Sequence, residues 1–328
     1  MEIVQNIVKV LDRVQKFKFK ILNIIEIMEK VFQYYFINEN VIKIEYNNHI
    51  RKNYLDNIFE DVPFDIIKMV SKKELINIPK INFNCLLGDI GFNKITLSKF
   101  LFNKSYHPKS YFQIRELDND KSYLLKPSSE SGGRGIKIIK NIDEIPENHF
   151  IQEIIEPDLI DNKKYDLRIY LLIINYNNKN YYYLSKDGKI RLSSDDYDIT
   201  NFNSVIINSS RIQEDSNIFH QQLKLSSKID FDYNQIKNIT EDILSMIIIK
   251  NTNTFNLYGL DFMKDNKGDY YLLEINNLPN FYHKNDSIDI TDIKNKIKFQ
   301  ISDILENIIC DADNELLFWQ LLSPKISV

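Results

Sequence analysis

The segment LYGLDFMKDNKGDYYLLEINNLPNF, residues 257–281, constrains the fold more than any other part of the chain. Two apolar, aromatic runs flank a turn at Asp265–Gly268, which is the make-up of a β-hairpin. Side chains alternate across a strand, so Glu274 and Asn276 share one face. With Asp261 on the same face, three oxygen-bearing side chains converge without backbone distortion. Hard oxygen ligands that leave room for phosphates and water suit Mg²⁺ carrying a nucleotide. An edge hairpin with solvated acids would give the same pattern, so the rest of the chain must decide.

The chain has 328 residues, 43% hydrophobic and 27% charged, the balance of a soluble globular protein with two or three domains or subdomains. Its net charge of −4 provides no basic field for nucleic acid or anionic membrane, and neither is expected as a partner. Cys85 and Cys310 lie far apart without metal-ligand spacing, which fits a reducing compartment. Glu2, Lys9, Asp12 and Arg13 interrupt any signal-peptide core, and no apolar stretch is long enough to span a bilayer. A cytoplasmic monomer is the expectation.

Along residues 1–35, Ile3, Ile7, Val10, Leu11, Val14, Ile24, Ile25, Met28 and Phe32 recur at helical spacing, and neither Gly nor Pro occurs before Pro63. This predicts a mainly helical N-terminal extension over residues 1–75, with KFKFK at 16–20 on a solvated face. Strands are expected at SYLLKP (122–127), IKII, HFIQEIIEP (149–157), KYDLRIYLLIINY (164–176), YYYL and KIRLSS, and helices at 234–250 and 288–309. Strands interleaved with helices over two lobes predict an α+β or α/β fold.

In LLKPSSESGGRGIKII, residues 124–139, a strand delivers Lys126 into a loop containing Gly132, Gly133 and Gly135 that returns as a second strand. Glycines let backbone N–H groups approach an anion, and Lys126 and Arg134 supply charge for phosphates. The order differs from a Walker A loop, since no Gly-Lys-Ser/Thr enters a helix. A plain tight turn is the alternative. Further on, the apolar FIQEII run suits the backbone-lined hinge of an adenine pocket. Lys164, Asp166 and Arg168 then alternate along one strand face, with Tyr165 and Leu167 on the other. Three charged groups there are costly unless they bind a ligand or pair with one another.

The motifs HPKSYF (107–112), LLKPSSESGGRGI (124–136), IQEIIEPDLIDNKKYDLR (151–168), DITNFN (198–203), LYGLDFM (257–263) and LLEINNLP (272–279) occur in the order of an ATP-grasp fold. With them the chain resembles the tubulin–tyrosine ligase-like branch of the ATP-grasp superfamily. The resemblance implies two α/β lobes sandwiching ATP: residues 76–150 as the N-terminal and central lobe, and 151–328 as the C-terminal lobe. It implies that Lys126, Gly133, Arg134 and Gly135 hold phosphates and that Gln152, Glu153, Ile154 and Ile155 line the adenine pocket. By the same resemblance Lys164 and Asp166 stand near adenine and ribose, and Thr200 and Asn201 beside the nucleotide. Arg168 and Arg191 would face the γ-phosphate and an acyl phosphate, making Lys126, Arg168 and Arg191 the catalytic set, with Asp261, Glu274 and Asn276 holding Mg²⁺. Glu130, Glu153, Asp198 and Ile199 depart from the family's usual Gly, Lys, His and Leu. The implied activity is ATP-dependent ligation of a free amino acid to a protein or peptide, tubulin or another acceptor. A small-molecule kinase on the same fold, using Arg211, His220, Lys224, His283 and Lys284, is the alternative, followed by a non-catalytic binding protein.

Overall fold

The computed structural model describes residues 31–61 except 38–39, 47–48 and 57, and residues 316–324 except 318. Between these it describes 78–312 except 92, 119, 131–132, 141, 208–221, 225–230, 251 and 280–287. Strands β1 (Val31–Ile37) and β2 (Asn40–Tyr46) form an antiparallel hairpin, followed by helix α1 (His49–Asp56), short β3 (Glu60–Asp61) and β4 (Lys80–Phe83). The helix expected over residues 1–35 lies outside the described residues up to position 30, and from Val31 the backbone is extended. Residues 31–61 are therefore not mainly helical. VFQYYFI is aromatic and β-branched, and its partner buries Ile42, Ile44 and Tyr46 while Lys43 and Glu45 sit between them. That period of two prevails over the helical spacing.

Helix α2 (Lys94–Phe100) leads to a four-stranded sheet of β5 (Ser110–Tyr111), β6 (Tyr123–Pro127), β7 (Lys137–Ile139) and β8 (His149–Glu153), in the order β5-β8-β6-β7. Tyr111, Tyr123, Leu125 and Ile151 form its core. Next come β9 (Leu159–Ile160), β10 (Lys163–Tyr176), β11 (Lys179–Ser185), β12 (Lys189–Leu192), the one-turn helix α3 (Phe202–Val205) and β13 (Gln222–Lys224). Helix α4 (Tyr233–Ser245), β14 (Thr254–Lys264), β15 (Tyr270–Asn277), α5 (Ile288–Ile309) and β16 (Trp319–Leu321) are the last of the described elements. Among the described residues the second sheet has 12 strands: eight follow the path β13-β12-β10-β14-β4-β2-β1-β3, β9 and β11 pair with β10, β15 with β14, and β16 with β11. The fold is thus mixed α+β, with the expected α4 ending at Ser245 and α5 matching 288–309.

Strand β10 explains how the sheet makes a site. Its odd residues Tyr165, Leu167, Ile169, Leu171 and Ile173 join a core with Ile236, Ile239 and Ile243 of α4. Its even residues change character along the strand. Tyr170, Leu172 and Ile174 share a core with Ile293, Ile297, Ile301 and Ile304 of α5, whereas Lys164, Asp166 and Arg168 line a cleft. The apolar half of this face is sealed by a helix and the charged half is left open.

Candidate active site

The cleft has a volume of about 480 Å³ and takes residues from both sheets. Lys126 and Gln152 come from the smaller sheet, and Lys164, Asp166, Arg168, Arg191, Asp261, Glu274 and Asn276 from the larger. At its floor lies a buried ion-pair network. Asp261 is opposite Arg168 across β14 and β10, and the two form a double hydrogen bond: Arg168 donates through Nε and, at 2.8 Å, through Nη2. Asp166 is opposite Arg191 across β10 and β12, with bonds of 2.5 and 2.8 Å. Arg191 Nη2 also lies 2.9 Å from Asp261 Oδ2, which joins the two pairs. Pairing satisfies charges that burial would otherwise penalise. The pairs run between strands, in the middle of the sheet.

Burial alone would push both carboxyl groups up. Two guanidiniums hold Asp261 well below the usual carboxylate range, whereas burial, with the neighbouring Asp261 charge, keeps Asp166 raised against the pull of Arg191 and Lys164.

Position 259 is a glycine because Arg168 occupies the space beside it. A Cβ there would stand 2.8 Å from Arg168 Cδ. A lone Gly within the apolar run NLYGLDFM is a readable sign of such close approach.

Glu274 is paired with Asp261, and Asn276 with Gly259, so the three proposed metal ligands do share a face. Asn276 Nδ2 donates to both Asp261 Oδ2 and Glu274 Oε1 at 3.0 Å. Simple alternation would not have produced this. Tyr270 and Leu272 lie in the core, and so would Glu274, were it not for a register shift between Asp261 and Phe262 that leaves Leu273 unpaired. This bulge turns Glu274 and Asn276 outward and sends Ile275 into the core. Among the described residues no three His, Cys, Asp or Glu stand together as a metal site. The set here is two carboxylates and an amide, hard oxygen donors that fit Mg²⁺.

Lys126 is buried, and its Nζ donates to Gln152 Oε1 at 2.9 Å; Lys164 donates to the Val205 carbonyl at the end of α3. Burial pushes both ammonium groups down to about 8. Lys94 and Lys189 also line the cleft and are readable only in part. Lys189 alternates with Arg191 on β12, whereas Lys94, at the start of α2 and 3.7 Å from Glu274 Oε2, carries no local signal. Six basic side chains line the cleft with the carboxylates of Asp166, Asp261 and Glu274, an excess of positive charge that fits a polyphosphate.

The other expected residues divide between the cleft and its surroundings. Gly133, Ile154 and Ile155 line the cleft, while the Glu153 carboxylate accepts from Tyr111 at 2.6 Å. Arg134 is exposed, 3.7 Å from Glu130, and is not in the cleft lining, because its loop points it outward. Gly135 has φ +71° and packs against Pro127, serving the turn. Thr200 is exposed and bonded to Asp198, and Asn201 caps α3 by accepting from Asn203 N–H. Asn201 thereby supports the helix that receives Lys164, and neither residue lines the cleft. Gly132, Arg211, His220, His283 and Lys284 lie outside the described residues.

The tubulin-tyrosine ligase family model matches residues 93–243 and 211–312. Tubulin glycylase 3F of Tetrahymena thermophila is 26% identical over 294 residues, spanning 75% of this chain and 32% of that protein. Tubulin polyglutamylase TTLL6 of Mus musculus is 24% identical over 269 residues, with 66% and 32% covered. Probable tubulin polyglutamylase ttll-9 of Caenorhabditis elegans is 21% identical over 257 residues, with 63% and 61% covered. The chain thus spans about a third of the glycylase's length. The match runs through the cleft-forming strands and most of the chain, and the chain belongs to the tubulin-tyrosine ligase family.

Proposed function

We propose that the chain is an ATP-dependent carboxylate–amine ligase that joins an amino acid to a protein or peptide, with tubulin as the first acceptor to test. The reading rests on one observation above all: a cleft with surplus cations beside the Asp261, Glu274 and Asn276 oxygens. The names of the relatives, glycylases and polyglutamylases of tubulin, support the acceptor class.

In this reading Lys126 binds the phosphates of ATP, Lys164 and Asp166 stand near the base and ribose, and Ile154 and Ile155 border the base. Asp261, Glu274 and Asn276 would hold Mg²⁺, which supplies charge neutralisation at the phosphates. A substrate carboxylate attacks the γ-phosphorus, ADP leaves, and the acyl phosphate is then opened by an amine, which loses a proton as phosphate departs and an amide forms. Arg168 and Arg191 offer fixed positive charge where negative charge develops on the phosphoryl and acyl oxygens. No side-chain nucleophile is needed, because alignment and charge neutralisation carry the step.

The test is intact mass. The purified chain, Mg-ATP, mixed amino acids and tubulin are incubated, with Glu274→Gln as control. Mass gain on tubulin by whole amino-acid residues, absent in the control, supports the ligase and names its donor. ADP formation with unchanged tubulin redirects the acceptor, and no turnover or binding of ATP overturns the reading.

A further inference from the structure

His107 is buried, away from the ion-pair network, and is hydrogen-bonded on both ring nitrogens. Nδ1 lies 2.8 Å from the Leu272 carbonyl oxygen, which can only accept, so Nδ1 carries the proton. Burial pushes the imidazole down to about 4, which leaves the ring neutral and makes Nε2 an acceptor. Two donors reach Nε2: the Ser98 hydroxyl at 3.1 Å and the Gln152 amide nitrogen at 3.4 Å.

The Gln152 nitrogen also faces Ser110 Oγ at 3.1 Å and the Pro108 carbonyl at 3.5 Å. Ser110 Oγ donates its own proton to Pro108 O, so it too receives from Gln152. Acceptors therefore surround one end of the amide. Turning it over would set its oxygen against them and its N–H groups against the Lys126 ammonium. The amide has one favourable orientation, with oxygen toward Lys126 at 2.9 Å.

We propose that His107 and Gln152 are positioning residues for Lys126: the imidazole, anchored on the bulge of the metal hairpin, sets the Gln152 amide so that it offers its oxygen to the lysine. The relay spans both sheets. Leu272 directs its N–H to the Tyr106 carbonyl and its C=O to His107, and stands two residues before Glu274. The position of the metal hairpin and that of the lysine are linked through two neutral side chains. The inference rests on the reading of the cleft as an ATP site.

The test is Mg-ATP binding to the full chain by titration calorimetry, with circular dichroism reporting the fold of each variant. In His107→Asn the side chain can still donate to Leu272 O, but nothing occupies the Nε2 position; in His107→Gln an amide oxygen can accept there. The Asn variant is expected to bind about tenfold more weakly, the scale of one hydrogen bond to a charged group, and the Gln variant within about threefold of wild type. Placed on Gln152→Glu, where either oxygen accepts from Lys126, His107→Asn should add no further loss. Equal affinity in all His107 variants, equal loss in both, or additive losses on Gln152→Glu would overturn the relay. A wild-type chain that binds no Mg-ATP is a separate result, which removes the ATP reading itself and the relay with it.

Discussion

A methyl group at position 259 would press on Arg168, with Cδ 2.8 Å and Nε 3.0 Å away. Gly259→Ala is expected to displace the guanidinium from Asp261 and destabilise the fold by about 1–3 kcal/mol in chemical denaturation, the usual cost of overpacking. Asp261→Asn leaves two buried guanidiniums short of a partner and should cost about 3–5 kcal/mol by the same measurement. The depressed Asp261 carboxyl has a defined pH sign. Its contribution is present above the unfolded carboxyl's value and is lost as pH falls through the lower folded value. Lys126 and Lys164 work in the opposite direction. Both are lowered to about 8 from 10.5, so the unfolded chain binds more protons between those values and their cost to stability is relieved as pH rises. Phosphate binding needs Lys126 protonated, so ATP affinity should weaken by up to about tenfold from about pH 7 to about pH 9, read as Kd by calorimetry.

Among the elements, α5 and the β14–β15 hairpin show two ways a periodic pattern is used. On α5, Ile293, Ile297, Ile301 and Ile304 face the sheet while Phe299 is 72% exposed. Ile297→Ala should therefore cost about 2–5 kcal/mol in thermal or chemical unfolding, and Phe299→Ala less than about 0.5 kcal/mol. Reversed magnitudes would mean that the helix is turned about its axis. The hairpin breaks its period at Leu273, and the break puts Glu274 in the cleft. YYLLEINN reads as one uninterrupted alternation, with Glu274 and Asn276 correctly on a common face. It does not reveal that this face is opposite to that of Tyr270 and Leu272.

Across the molecule, the cleft draws its basic and acidic side chains from two sheets. A ligand that touches both should stabilise the entire chain. Mg-ATP at about 100 times its Kd is expected to add about 2.7 kcal/mol, seen as a rise in Tm that EDTA diminishes. The features legible in the residues alone are local: the strands around Lys126 and along 164–176, the helix at 288–309, and the common face of Lys164, Asp166 and Arg168. Alternation and helical spacing are properties of neighbouring residues, so they can be read without a fold. The aromatic strand at Val31–Ile37 was hidden because its apolar residues also suit a helix until β2 pairs with it. Which charges meet is settled by the folded chain and by nothing shorter. Arg168 and Asp261 are 93 residues apart, and Lys126 reaches Gln152 across the β6–β8 pairing. Those partners depend on strand order, register and a single bulge. Each is set by how the larger sheet buries its faces against α4 and α5 while the smaller sheet builds its own core, and no window of adjacent residues contains that information.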